Sequence, residues 1–446
     1  YGVTGVIVGD SYNSLTRYEY GSPYFYDNGV WHQGLSVKSN PNPDLKWETT
    51  ISRNIGLDFG FFNNRLSGTI DAYWNTTKDL LMCIPIDETT GYSYQYQNIG
   101  QTSNKGIEIA LNYDILRTKD FTLGVSATYN YNHNNIDELA DNIIAQYGSQ
   151  WASSATTPTY DYEFREGKPV GLIRGYICDG YYTTADFNYD PATKTYTLKP
   201  GVADLGNQVG NYPSHYNLPE GQKAFPGAVK LRDLDGNGVA DTEDVADLGE
   251  ITHPHTGGFN LNMTWKDIDF SAGFAWAAGG HVYNVNSLIN MYGNKDTGAG
   301  ANKLEFISDC YQIYDIQNGE LVPVVEPDAL DALNTGAKYG VPYMENGTVL
   351  STFVEDASFL RLNTLTVGYT FPKAWTKKIG MQRARVYATA GNLFTITGYS
   401  GIDPEVNADP NKSTTAANTG NYPLLGMDYG TYPRARTFTF GVNITF

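Results

Sequence analysis

The chain has 446 residues, 41% of them hydrophobic and 14% aromatic, with 35 Tyr, 47 Gly and a formal net charge of −18. It is too long for one ordinary compact domain, and its negative charge sets it against nucleic-acid phosphates, so no nucleic-acid partner is expected. No apolar run approaches the roughly 20 residues of a transmembrane helix, so a membrane could be crossed only by strands.

Residues 1–48 carry no long alternation and read as a loop segment. The first clear strand follows: Ile51, Arg53, Ile55, Leu57 and Phe59 alternate with Ser52, Asn54, Gly56 and Asp58. Beyond a turn at Phe61 to Asn64, Leu66, Ile70, Ala72 and Trp74 alternate with Ser67, Thr69, Asp71 and Tyr73. Ile107, Ile109, Leu111, Tyr113 and Ile115 form the next apolar row, and Phe121, Leu123, Val125, Ala127 and Tyr129 the one after. Phe259, Leu261, Met263 and Trp265 meet Ile268, Phe270, Ala272, Phe274 and Trp276 across a turn at Lys266 and Asp267. Leu365, Val367, Tyr369 and Phe371 run into Pro372, and a basic turn through Lys377 and Lys378 precedes a strand from Arg385 to Asn392. The last ten residues, TFTFGVNITF, place Phe438, Phe440, Val442, Ile444 and Phe446 on one side of a strand.

A period of two over about ten residues fits a lipid-facing barrel strand, apolar outside and polar or small inside. The pattern predicts about nine such strands. Short turns join them at one end, and long connections, roughly 77–104, 132–256, 278–357 and 393–435, join them at the other. Outer-membrane barrels have that asymmetry, with short periplasmic and long extracellular links. The fold expected is therefore all-β: part of a large antiparallel transmembrane β-barrel over 49–446, with long extracellular loops, a large extracellular excursion over 132–256 and an extracellular segment over 1–48. Trp74, Trp265 and Trp276 read as a membrane girdle. An odd strand number does not close a single-chain barrel, so the remainder of the barrel is expected from other polypeptide. The chain opens on Tyr1 without Met or a signal peptide, as a processed protein or a piece of a longer one would.

Several blocks resemble the barrel of SusC-type TonB-dependent transporters. They are Asn42-Pro43-Asp44-Leu45-Lys46-Trp47-Glu48 with Asn54-Ile55-Gly56-Leu57-Asp58, then Thr77-Lys78-Asp79-Leu80-Leu81, and Asn98-Ile99-Gly100 with Asn104-Lys105-Gly106-Ile107-Glu108. Ala357-Ser358-Phe359-Leu360-Arg361-Leu362, Asn392-Leu393-Phe394-Thr395 and Tyr399-Ser400-Gly401-Ile402-Asp403-Pro404-Glu405 complete the set, in family order from about residue 40 to the end. The resemblance implies the C-terminal part of a 22-stranded barrel whose plug and TonB-contacting segment are missing. It also implies an active importer of oligosaccharides or peptides in the outer membrane of a Gram-negative bacterium, with a SusD-type lipoprotein lid, powered through TonB. Its C-terminus would be periplasmic and outer-membrane lipid would surround it.

One local motif carries metal chemistry. Residues 233–244, DLDGNGVADTED, match the calcium loop D-x-[DN]-x-[DN]-G-x₅-E with Asp in the last place. Asp233, Asp235 and Asn237 would supply oxygens at positions one, three and five, Val239 its carbonyl, Asp241 position nine and Asp244 the closing ligand. A structural calcium ion is expected, against the simpler reading of an Asx-rich turn. His253 and His255 lie two apart but have no third His or Cys nearby, so loop polarity is the better reading. Cys83, Cys178 and Cys310 match no metal, redox or disulfide pattern and read as inert thiols.

No nucleophile elbow, zinc-protease helix or phosphate loop occurs, so no enzymatic activity is expected. The loops are rich in rings, among them Tyr92, Tyr94, Tyr96, Trp151, Tyr160, Tyr162, Tyr181, Tyr182, Tyr283, Tyr292, Tyr399 and Tyr429. They could stack on sugars or line a peptide site, but packing among the loops is the simpler account of any one of them. The rival readings are a passive outer-membrane barrel or structural adhesin, and a secreted glycan-binding β protein.

Overall fold

The computed structural model describes residues 1–6, 14–26, 29–92, 94–139, 145–147, 162–207, 215–291, 305–342, 349–406, 426–428 and 430–446. Its main sheet has eleven segments. They are β1 (Gly2–Val6), β2 (Glu48–Ser52), β3 (Asn54–Phe61), β4 (Leu66–Lys78), β5 (Gly100–Arg117), β6 (Phe121–Leu139), β7 (His255–Trp265), β8 (Ile268–Ala278), β9 (Phe359–Thr370), β10 (Arg383–Thr397) and β11 (Thr437–Thr445). Spatial order follows chain order, and every pairing is antiparallel.

β2 and β3 both pair with β4 in one register that runs unbroken past Arg53, whose carbonyl accepts from the Trp74 N–H at 3.0 Å. Counted as one strand, they bring the sheet to ten strands, not nine. The addition is β1, which pairs Gly2 with Ser52 and Val6 with Glu48. Reading 1–48 wholly as a loop segment is therefore corrected at its start. Five residues containing two glycines are too short for a period of two to stand out from coil. The argument from an odd strand number falls with that count. What leaves the sheet open is that β1 and β11 each have one neighbour.

Tyr1–Phe446 by itself is accordingly expected not to form a closed barrel. Unpaired edge groups in lipid cost several kcal/mol each as an order of magnitude. Heat-modifiable mobility and protease resistance in detergent measure this, and a resistant monomeric barrel from this chain alone would refute it.

The registers carry one apolar face across the sheet. Leu57 faces Ile70, Ile70 faces Ile109, Leu111 faces Ala127, and Val125 faces Leu261. Leu261 faces Ala272, Phe270 faces Val367, Val367 faces Ala388 and Ala388 faces Phe440. Many of these side chains are exposed; Phe440 keeps 80% and Val442 62% of its surface. Such a surface on a folded sheet needs an apolar solvent. Trp265 stands at the short-turn end, while Trp74 and Trp276 stand toward the long connections, with Trp276 stacked on Tyr129 at 6.0 Å. From Ile268, opposite Trp265, to Trp276 is about 27 Å along the strand. A tilt of about 40° reduces this to about 21 Å, close to the apolar band of outer-membrane barrels.

A bulge interrupts the expected alternation on β5. The register shifts between Asp114 and Leu116, so Leu116 and not Ile115 lies opposite Leu123. The apolar pair Ile115-Leu116 hides such a shift in the sequence, since either residue fills the outer row.

The larger buried hydrophobic cluster is not in the main sheet. Tyr176, Tyr182, Tyr196, Leu205, Phe225, Tyr283, Leu288, Leu330, Leu350 and Met427 belong to one cluster drawn from three long connections. Backbone hydrogen bonds interlock them: Tyr176 N–H to the Val349 carbonyl at 2.9 Å, Val341 N–H to Gly227 at 2.7 Å, and Tyr283 N–H to Gly426 at 2.7 Å. The connections thus form one packed cap at the long-loop end, where the sequence shows separate long connections and no sign of their mutual packing.

Candidate functional site

The inner face of the sheet is polar. Asp71, Glu108, Asn130, Asn260, Ser271, Thr366, Thr389 and Thr439 fall on the parity opposite the lipid row. Large side chains on this face lie across glycines of the next strand. Tyr73 covers Gly106, where a Cβ would meet the ring at 2.7 Å or less, and donates its hydroxyl to Asn132 Oδ1 at 2.9 Å. Arg385 reaches over Gly368 to Asp269, with Nε to Oδ1 at 2.8 Å. Nearer the short turns the face forms a cleft of about 580 Å³ lined by Asn112, Asp114, Ser126, Asn262, Thr264 and Ser271. These hydroxyls, amides and the carboxylate suit a hydrated polar solute and not a lipid.

At the mouth, β9 and the connection after β10 meet in a buried ion cluster. Arg361 is 2% exposed; its Nη2 bonds Asp403 Oδ1 at 2.6 Å, its Nη1 bonds Glu405, and its Nε bonds Thr395 Oγ1 at 2.9 Å. Its guanidinium also lies 5.1 Å from the Phe359 ring centre. Half-exposed Arg434 closes the group, 3.1 Å from Glu405 and 3.4 Å from Asp403. Charges this dry persist only when each is paired. Arg361 lies in the Ala357–Leu362 block and Asp403 and Glu405 in the Tyr399–Glu405 block, so two separate family-like segments serve one structural joint.

The N-terminal blocks behave alike. Asn98 accepts from Lys46 N–H at 2.8 Å and donates to the carbonyls of Lys46 at 3.0 Å and Asp79 at 2.7 Å. Glu48 accepts from Leu81 N–H at 2.8 Å, and Asn42 donates to the Tyr96 carbonyl at 2.9 Å. Their side chains satisfy backbone groups where the ladder ends and no strand remains to do so. The sequence marks these residues as family-like without revealing that role.

The 233–244 loop folds tightly. Asp233 accepts from the N–H groups of Gly236 at 2.7 Å and Gly238 at 2.8 Å, with both glycines at positive φ, 78° and 91°. Buried Asp244 accepts from Leu234 and Asp235 with one oxygen and from Asp241 N–H, at 2.8 Å, with the other. Oxygens of Asp233, Asp235 and Asp244 come within 4.8 Å of one another, the only such acidic, His or Cys group among the described residues. Asn237 Oδ1 accepts from Val239 N–H, while its Nδ2 lies 3.0 Å from both Asp235 and Asp241. Asp241 is thus held against an amide and not in the converging group.

Two further facts bear on an ion. The Gly238 N–H bonded to Asp233 holds that carboxyl below the usual carboxylate range. Wholly buried Tyr176 has a hydroxyl without a hydrogen-bond partner. Burial first, then the charges of Asp244 and Asp241, push its phenol up. Three converging carboxylates, with the Asn237 amide oxygen and the Val239 carbonyl in the same loop, fit a hard cation.

The remaining candidates separate. His253 Nε2 meets the Ala357 carbonyl at 3.1 Å, whereas His255 Nδ1 meets the Tyr129 hydroxyl at 2.9 Å, so they do not converge. Burial pushes the Cys310 thiol up to about 12 and raises that of Cys178. Cys83 lies in a short strand, Leu81–Pro85, and its side chain is outside the described residues. Tyr182, Tyr283 and Tyr399 are buried, and Tyr181 packs on Tyr311 at 5.3 Å, so they build the cap. Trp151, Tyr160, Tyr292 and Tyr429, with the side chains of Tyr94 and Tyr162, lie outside the described residues.

Known proteins resemble this architecture. A family model described as TonB dependent receptor-like, beta-barrel, matches residues 9–218. TonB-dependent receptor P3 of Formosa agariphila is 30% identical over all of this chain and 39% of the relative. TonB-dependent receptor SusC of Bacteroides thetaiotaomicron is 29% identical over all of this chain and 37% of its own length. The chain thus spans about two-fifths of the length of these curated relatives. The structure of the RagAB peptide transporter superposes with a TM-score of 0.66 at 24% identity, over all of this chain and 40% of that one. That likeness is one of fold. The open sheet, apolar outside and polar within, therefore has counterparts: in sequence the chain resembles the C-terminal barrel portion of SusC-type TonB-dependent receptors, a family whose location is the outer membrane.

Proposed function

We propose that this chain is the part of an energised outer-membrane importer that forms the wall and outer cap of its passage. The observation that supports it best is the pairing of a polar inner face with a cohesive cap at the long-loop end. A solute gathered under the cap would descend along Asn, Ser and Thr side chains and reach the periplasm at the short-turn end, where the C-terminus lies. TonB would supply the work through a part of the protein outside this chain, and a SusD-type lipoprotein would close the mouth. The resemblance to SusC-type transporters implies an oligosaccharide or peptide cargo, and RagAB, similar in fold, is a peptide transporter. The matched family is one of transporters, not of enzymes. The test is uptake of labelled oligosaccharides and peptides by cells carrying the complete protein. Uptake lost on deletion of tonB supports the importer; uptake indifferent to that deletion favours a passive barrel.

We also propose that 233–244 binds calcium through Asp233, Asp235, Asn237, the Val239 carbonyl and Asp244, with Asp241 reaching the ion after releasing Asn237. An ion among these carboxylates relieves their repulsion and fixes the turn. The loop is tied to the cap core through the Ala240 N–H on the Asp204 carbonyl at 2.9 Å. Chelator, or D233A with D235A, is expected to open protease sites within 162–256 while leaving the barrel's thermal transition in place. Unchanged proteolysis, together with no anomalous density within about 2.3–2.6 Å of these oxygens, reduces the loop to an Asx turn.

The pH dependence has a fixed sign. Asp233 has a folded pKa below its unfolded one, so its contribution is complete above about pH 4, near the unfolded value. It is lost as pH falls through the folded value. Protease sensitivity of the metal-free loop is expected to rise only in that acid window; a rise near neutral pH would contradict the assignment.

A further inference from the structure

The outer face is not uniform. On β10 its positions are Ala384, Val386, Ala388 and Ala390, short side chains. On one side stand Leu365, Val367 and Tyr369 of β9, and on the other Phe438, Phe440 and Val442 of β11. A low row between two tall rows makes a trough of about 570 Å³, bounded by Ile268, Val367, Tyr369, Val386, Phe440 and Val442.

The trough points to a basic turn. Lys373–Thr376 forms a short helix, Lys377–Ile379 a turn of 3₁₀ helix, and Gly380 closes it at φ 76°. Lys373, Lys377 and Lys378 are exposed beside Trp375 and Ile379, themselves 60% and 66% exposed. In a chain of net charge −18, residues 371–385 contain five basic side chains and no acidic one. Of these, Arg385 is committed to Asp269 on the inner face, and Arg383 shares that parity. The three lysines remain. An exposed indole among lysines suits the headgroup layer. Tyr369 and Val386 lie three residues from Pro372 and Arg383, so the trough begins about 10 Å from the turn.

We propose that this face holds one phosphoglycerolipid of the inner leaflet, its acyl chain in the β10 trough and its phosphate at Lys373, Lys377 and Lys378. The inference rests on the membrane-spanning reading and on the short turns facing the periplasm. Surrounding lipid tails are as apolar as the trough, so removal from water gives no preference for one bound lipid. Shape contact along the alanines and charge at the turn supply it. The charge excess at one turn, continuous with an apolar groove, selects a phosphate that carries acyl chains over a free one.

The complete barrel protein, purified in mild detergent, is titrated with dioleoylphosphatidylglycerol and followed by native mass spectrometry. The wild type is expected to retain one lipid. K377E/K378E is expected to weaken retention by at least about tenfold, and A388W to weaken it because an indole fills the trough. K119E, at another short turn, is expected to change nothing. Dioleoylglycerol, which lacks the phosphate, is expected to bind poorly, and inorganic phosphate not to compete. Retention unchanged in K377E/K378E overturns the proposal, as does an equal loss in K119E. The exposed lysine variants decide the matter where A388W does not insert. A protein that inserts, shows heat-modifiable mobility and holds no lipid refutes the trough alone; one soluble without detergent refutes the membrane reading beneath it.

Discussion

Val442→Arg is expected to strip the protein from the outer membrane, while Asn443→Arg leaves its level nearly unchanged. Val442 lies opposite Val386 in the apolar row, and Asn443 lies opposite Arg385 on the inner face. Val442 is four residues from the terminal Phe446, about 13 Å along the strand. With a tilt of about 40° it stands about 10 Å above that end, near the middle of the apolar band. A guanidinium there costs about 2–4 kcal/mol, whereas an inner-face change stays near about 0.5 kcal/mol. Outer-membrane fractionation and heat-modifiable mobility of the complete protein read the difference. Equal levels of the two variants would reverse the assignment of faces for the whole sheet, because the registers tie every strand to this one.

Arg361→Ala is expected to release the connection after β10 from the mouth. It leaves Asp403, 5% exposed, with the long 3.4 Å contact to Arg434 as its ion pair. Removing one partner from a buried pair costs about 3–5 kcal/mol, because the other charge stays desolvated. Arg434→Ala touches the same carboxylates from a half-exposed position and is expected to cost about 0–1 kcal/mol. Limited proteolysis distinguishes them: cuts appear between Tyr399 and Arg434 in the first variant and not in the second. Adding Asp403→Asn to Arg361→Ala is expected to restore part of the protection, since the stranded charge is gone. Equal proteolysis of the two single variants would make Arg361 a surface residue in energetic terms.

The sequence by itself determined which residues face lipid. A period of two is local, and lipid imposes it on each strand separately, so strands such as Phe121–Leu139 and Ile268–Ala278 are legible one at a time. The tight turn over 233–244 was legible because it too is local, its carboxylates accepting from N–H groups within the same twelve residues. Tertiary structure alone decided the rest. β1 is fixed by its pairing with residues about 46 positions away and not by any pattern of its own. The bulge at Ile115 is set by the partner strand, because two adjacent apolar residues satisfy either register. The cap requires connections more than 200 residues apart to bury Ile173, Tyr283 and Met427 together, and nothing local in a tyrosine says whether it meets a sugar or another loop. Arg361 and Asp403, 42 residues apart, show their pairing only after β9 and β10 bring their ends to one mouth. Patterns set by solvent are read along the chain, while contacts between distant segments come into being only when the sheet has placed their ends.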